Sequence, residues 1–144
     1  MKREDIHYPL GPDAARELLR AHDINPTSQR VTIACFLLSR QQHLSAEQIL
    51  AGVNDRDSTV SKATVYNTLG AFSAKGLVRE VLTNPERVFY DSNLEAHFHI
   101  YNVDTGALED FPVEAMKIDQ LPELPPDCTL DSLDIIVRVR NHRD

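Results

Sequence analysis

The hydrophobic period of this chain changes once, at Gly76, and that change limits its fold more than any other feature. Up to Gly76 the apolar residues recur at helical spacing; after it they alternate. Gly11-Pro12-Asp13 opens a first helix, because proline is tolerated in a first turn and aspartate favours a helix N-terminus. Ala14, Ala15, Leu18 and Leu19 form its stripe, which ends near His22, and Asn25-Pro26 breaks it. Thr27 or Ser28 caps a second helix with Val31, Ala34, Cys35 and Leu38 at helical intervals. Ser45 begins a third, with Gln48 at the capping-box position and His43 two residues before the cap. Ser61 starts a fourth, KATVYNTLGAFSAK, which Gly76 stops. Short helices joined by tight turns make a helix-turn-helix unit.

Beyond Gly76, Leu77–Leu82 and Arg87–Asp91 read as strands around the turn Thr83-Asn84-Pro85-Glu86. A hairpin directly after a helix-turn-helix is the plan of a winged helix. A strand over 98–103 follows, then a partner over 107–111 and a helix near 113–120. Three prolines keep LPELPPDC out of regular structure. The last strand, Leu133–Arg140, alternates poorly and is strongly apolar, which predicts burial on both faces. The expected fold class is α+β. An N-terminal winged helix-turn-helix domain with its hinge spans 1–91, and a small α/β domain spans 92–144.

The segment DSNLEAHFHIYNVDTGALED carries the chemistry. His97 and His99 stand two apart in an apolar run, so on a strand they share a face. Two neighbouring imidazoles are a metal-ligand arrangement. Asp91 precedes them, and Asp110 follows the turn Val103-Asp104-Thr105-Gly106. A hairpin closed by that turn returns Asp110 beside His99. A bare HxH is more often two polar residues facing solvent; the flanking carboxylates are what favour metal.

The formal net charge of −7 argues at first against a polyanionic partner, but the distribution reverses the argument. Residues 1–84 hold ten Lys/Arg against nine Asp/Glu, a net +1, whereas residues 85–144 hold five against thirteen, a net −8. Only the first module is free to approach DNA. Its fourth helix offers Lys62, Thr64, Tyr66, Asn67 and Thr68 in two turns. Asparagine can bond adenine bidentately, and a methyl or ring can touch the thymine methyl. Lys62, Arg30 and Arg79 can contact phosphates, which position without specifying. So few cations bind weakly as a monomer, and a homodimer on a palindromic operator doubles the contacts. The two cysteines, Cys35 and Cys128, form no CxxC pair. MKREDIHYPLG lacks a hydrophobic signal region and no apolar run is long enough to span a bilayer, which predicts a cytoplasmic protein with no membrane partner.

HLSAEQIL, KATVYNTLGAFSAKGLV and RVFYDSNLEAHFHIYNVDTG together resemble the ferric uptake regulator family of metal-dependent transcription factors. The resemblance covers about residues 10–140. It implies a winged helix, a C-terminal dimerisation domain, and a regulatory metal between them. Its regulatory ligands fall here on His43, Asp91, His97, His99 and Asp110. Three imidazoles and two carboxylates suit Fe(II) or Mn(II), with Zn(II) also possible in vitro.

The departures from the family pattern are specific. Many members hold a structural zinc with two CxxC pairs; here the first pair's positions are Asn102 and Thr105, so no four-cysteine structural zinc is expected. A second C-terminal metal site falls on Phe98 and Asp131, which do not match it. Asp110 and Asn67 resemble the peroxide-sensing branch, and the implied function is a peroxide-responsive repressor rather than an enzyme. Iron- or manganese-uptake regulation and haem regulation are the alternatives within the family. A non-haem iron metalloenzyme is the alternative outside it, since two imidazoles and a carboxylate can also activate oxygen at iron.

Overall fold

Helices form where caps and apolar stripes call for them. They are α1 (Pro12–Ala21), α2 (Ser28–Leu37), α3 (Ala46–Val53) and α4 (Lys62–Ala74) in a computed structural model that describes residues 7–55, 59–84 and 87–143. Thr27 and Ser61 accept hydrogen bonds from the backbone N–H of Arg30 and Thr64. Ser45 and Gln48 complete a reciprocal capping box at 3.2 and 2.9 Å. Gly76, at φ +74°, ends α4 in a Schellman turn. Its N–H donates to Ser73 and that of Leu77 to Phe72. The chain divides into two compact units, Met1–Leu94 and Glu95–Asp144.

In the first unit the helical stripes meet in one core. Leu18, Leu19, Ile33, Leu37, Leu38, Ile49, Val65, Leu69, Phe72 and Leu77 are fully buried. Each such side chain stabilises the fold by about 1.5–3 kcal/mol relative to an exposed one. Beside the helices lies a three-stranded antiparallel sheet, β1 (His43–Ser45), β2 (Arg79–Asn84) and β3 (Arg87–Asp91), in the order β1-β3-β2. β1 departs from the sequence pattern; three residues are too short to display alternation. β2 starts two residues later than the alternation suggests, because Leu77 and Val78 are drawn into the core instead. Pro85 and Glu86 of the expected wing turn lie outside the described residues.

In the second unit β4 (His97–Asn102) is central, antiparallel to β5 (Leu108–Pro112) and parallel to β6 (Ile136–Val139). The β4–β5 turn is closed by Asn102, whose side-chain oxygen accepts from Asp104 and Thr105 N–H at 2.9 and 3.1 Å. Gly106 supplies the positive φ of +76° that the turn requires.

Two expectations are corrected here. The helix near 113–120 is a single 3-10 turn, Val113–Ala115. Eight residues without a capping side chain or a packed apolar face do not sustain a helix. The final strand is shorter than 133–140 and is not buried on both faces. It is the edge strand of its sheet, with Arg138 and Val139 exposed and Leu133 exposed ahead of it. An apolar run reads as a central strand in sequence, but among the described residues β6 has a partner on one side only.

Candidate metal centre

The hairpin brings the second unit's candidate ligands together by register. His99 pairs directly with Asp110, and His97 precedes His99 by one strand period, so all three side chains leave the same face of the sheet. His97 and His99 are buried, at 8 and 5% relative exposure, while the Asp110 carboxylate is 39% exposed. His97 Nε2 lies 3.1 Å from His99 Nε2; Asp110 Oδ1 lies 3.2 Å from His99 Nε2 and 3.7 Å from His97 Nε2.

His97 Nδ1 faces the Glu95 carbonyl at hydrogen-bond distance. A carbonyl can only accept, so Nδ1 carries the hydrogen and Nε2 is the nitrogen left facing the cluster, the atom through which the neutral ring would bind a metal. That is how a metal-binding imidazole is oriented by its outer partner. Metal bonds near 2.1 Å place neighbouring ligand atoms about 3.0 Å apart at right angles and about 3.4 Å apart in a tetrahedron. The observed separations fit such a set.

The first unit positions two further residues. β1 and β3 pair with His43 opposite Asp91, and Arg79 of β2 is the partner of Asp91 on its other side. The His43 ring stands edge-on to Phe89, 6.1 Å between centroids. Asp91 is fully buried, and its Oδ1 accepts the N–H of Asn93 at 2.9 Å. A clasp between the residues next to these two fixes their spacing. Gln42 N–H donates to Ser92 Oγ and Ser92 N–H to the Gln42 carbonyl, both at 2.9 Å. The Gln42 amide also donates to the carbonyls of Phe36 and Leu37 at the end of α2. Gln42 and Ser92 carry no signal in the sequence: each is a lone polar residue, and their meeting depends on pairing across fifty positions.

The fourth helix presents the residues expected to read DNA. Lys62, Tyr66 and Asn67 are exposed along one stripe, while Val65, Thr68, Leu69 and Phe72 face the core. The Tyr66 hydroxyl donates to Glu47 on α3 at 3.0 Å, and Lys62 lies over the Tyr66 ring, 5.8 Å from its centroid. Thr64 is half-buried, its hydroxyl accepting from Ser61 in the helix cap. Arg30 reaches back to the Asn25 carbonyl at 3.1 Å, and Arg79 is half-buried beside Asp91 in register. The two cysteines form no disulfide; Cys35 is half-buried and Cys128 exposed.

A winged helix joined to a small sheet whose central strand presents two imidazoles beside a carboxylate defines a metal-binding protein of the winged-helix class. The chain belongs to the ferric uptake regulator family, whose model matches residues 22–124. It is 29% identical over 121 residues to the peroxide-responsive repressor PerR of Staphylococcus epidermidis, covering 83% of this chain and 79% of that one. To PerR of Staphylococcus aureus it is 32% identical over 108 residues, covering 75 and 72%. The ferric uptake regulator of Pseudomonas aeruginosa, solved with manganese, superposes with a TM-score of 0.69 at 25% identity over 90% of this chain and 98% of that one. The Campylobacter jejuni peroxide stress regulator shares the fold, with a TM-score of 0.60 at 22% identity over 88 and 96%.

Proposed function

We propose that this chain is a metal-dependent DNA-binding transcriptional repressor, loaded with Fe(II) or Mn(II) and responsive to peroxide. The observation that carries the reading is the convergence of His97 Nε2, His99 Nε2 and Asp110 Oδ1 within 3.7 Å in a member of this family. Imidazole nitrogens with carboxylates suit first-row divalent ions, Zn(II) among them in vitro. In this reading His43 and Asp91 complete the ligand set. Their pairing in register supports it, as does the short chain distance of six positions from Asp91 to His97. Residues 1–91 then act as the DNA-binding domain and 92–144 as the dimerisation and sensing domain. An ion drawing ligands from both ties them together and selects the DNA-competent arrangement.

DNA reading is assigned to Tyr66, Asn67, Thr64 and Lys62 on α4, with Arg30 and Arg79 on phosphates, in a homodimer on a palindromic operator. The exposed stripe of α4 supports this. Peroxide response is favoured by the named PerR relatives and by Asp110. Bound iron would supply the redox chemistry; the chain's part is to hold His43 and His97 within reach of it. Peroxide would be the oxidant, one oxygen entering an imidazole C–H bond and the other leaving as water, and the oxidised imidazole would be a poorer ligand. Iron- or manganese-uptake regulation is the second reading, favoured by the likeness to the manganese-bound Pseudomonas aeruginosa regulator.

The test begins with metal analysis of anaerobically purified protein. DNA binding by the iron and manganese forms is then measured before and after peroxide. The expected result is release of DNA by the iron form alone, with an oxygen atom added to a His43 or His97 peptide in mass spectrometry. Release without modification of either histidine overturns the peroxide mechanism. No metal-dependent DNA binding overturns the repressor reading.

A further inference from the structure

Glu47 is an acidic side chain on an otherwise DNA-facing surface, where it repels phosphate. It nevertheless accepts the Tyr66 hydroxyl at 3.0 Å, tying α3 to the exposed face of α4. Tyr66 is 41% exposed, and Lys62 approaches its ring from one turn earlier. Beside the ring is a shallow hollow lined by Ala46, Glu47, Tyr66, Val88 and Tyr90. An untethered ring can fold toward Ala46, Val88 and Tyr90 and bury its apolar surface there. The hydrogen bond and the cation over the ring oppose that collapse, holding the ring out before DNA arrives.

We propose that Glu47 is a positioning residue for sequence discrimination: it holds Tyr66 in the orientation that meets a base. The proposal rests on the assignment of α4 as the reading helix. The carboxylate sits in the first turn of α3. Its acidity is strengthened first by a hydrogen bond from its own backbone N–H and then by the Tyr66 hydroxyl, so it stays ionised and a strong acceptor. Ordering the ring in advance removes an entropic cost from base contact. The negative charge also weakens approach of the phosphate backbone, alike for every sequence, and so leaves the ratio between two duplexes to the hydrogen bond.

The experiment uses the full chain loaded with manganese and a duplex enriched from a random pool. The base pair whose preference Tyr66→Ala erases is located first. The ratio of affinities for that duplex and for its single-base variant, at one salt concentration, is then measured for four variants. These are Glu47→Ala, Glu47→Gln, Tyr66→Phe and the double variant Glu47→Ala/Tyr66→Phe. A lost hydrogen bond of this kind corresponds to a fall of about two- to tenfold in the ratio. Glu47→Ala and Tyr66→Phe are expected to show that fall, and the double variant no further fall, because both remove one interaction. Glu47→Gln keeps an acceptor and is expected to retain the wild-type ratio while binding all DNA more tightly. A wild-type ratio in Glu47→Ala, or additive losses in the double variant, overturns the proposal. If the wild-type protein enriches no sequence, or Tyr66→Ala erases no preference, the reading-helix assignment fails first and the positioning role with it.

Discussion

Two glycine-to-alanine substitutions in the first unit should move stability in opposite directions. Gly52 lies in the last turn of α3, and a Cβ there would stand 2.0 Å from Phe36 Cζ and 2.5 and 2.6 Å from the two Cε atoms. Ordinary contact begins near 3.4 Å, so the ring tip must recede by about 1.4 Å, the difference 3.4 − 2.0. Phe36 packs against the core from a half-buried position and can move only by giving up contacts. Overpacking of this size costs about 1–3 kcal/mol. The helix-propensity gain of alanine, at most about 1 kcal/mol and less in a final turn, offsets part of it. Gly52→Ala should therefore lose about 1–2 kcal/mol. Gly70 lies inside α4, where a Cβ would meet nothing within 4 Å. Gly70→Ala should gain about 0.5–1 kcal/mol from propensity alone. With about 4–8 °C per kcal/mol for a unit of this size, thermal unfolding of the full chain followed by circular dichroism resolves both shifts. Phe36→Leu in the Gly52→Ala background should recover part of the loss by shortening the obstructing side chain. A neutral or stabilising Gly52→Ala, or a destabilising Gly70→Ala, would refute the packing argument.

Ser92→Ala removes the side-chain half of the clasp on Gln42 beside His43 and Asp91, leaving the backbone bond, and should weaken manganese binding by up to about 10-fold, the low end for loss of outer-sphere support; calorimetric titration with unchanged affinity would place those two residues outside the site. Asp110→Ala should lower manganese affinity more than Glu109→Ala, because Glu109 pairs with Ile100 rather than with a histidine; equal effects would remove Asp110 from the ligand set. The Glu47 carboxyl is held below its ordinary value, first by its backbone N–H and then by Tyr66, and the Tyr66 phenol is held above its own by Glu47. Their hydrogen bond therefore contributes stability above the ordinary carboxylate value that is lost as pH falls through the lowered one. It is also lost as pH rises through the raised phenol value. Tyr66→Phe should abolish the alkaline edge and weaken the acid one, which the Glu47 backbone N–H still maintains, measured as the pH dependence of the unfolding midpoint. Burial raises the Cys35 thiol, against a smaller opposing effect of Arg16, so alkylation at neutral pH followed by peptide mapping should label exposed Cys128 first.

The sequence by itself determined the four helices of the first unit and the pair of facing histidines, because both are set by local rules. Ser45 with Gln48, Ser61 and Gly76 fix helix ends through hydrogen bonds three to five residues long. His97, His99 and Asp110 meet because strand period and one short turn act within fourteen residues. Tertiary structure alone decided what depends on distant pairing. β1 exists only because His43–Ser45 finds β3 nearly fifty residues later, and the Gln42–Ser92 clasp has the same origin. β6 is an edge strand because among the described residues only β4 pairs with it, a fact of sheet order that the apolar run Leu133–Val137 cannot encode. The Glu47–Tyr66 hydrogen bond joins two helices nineteen positions apart, and its geometry is set by how α3 and α4 pack, not by either helix alone.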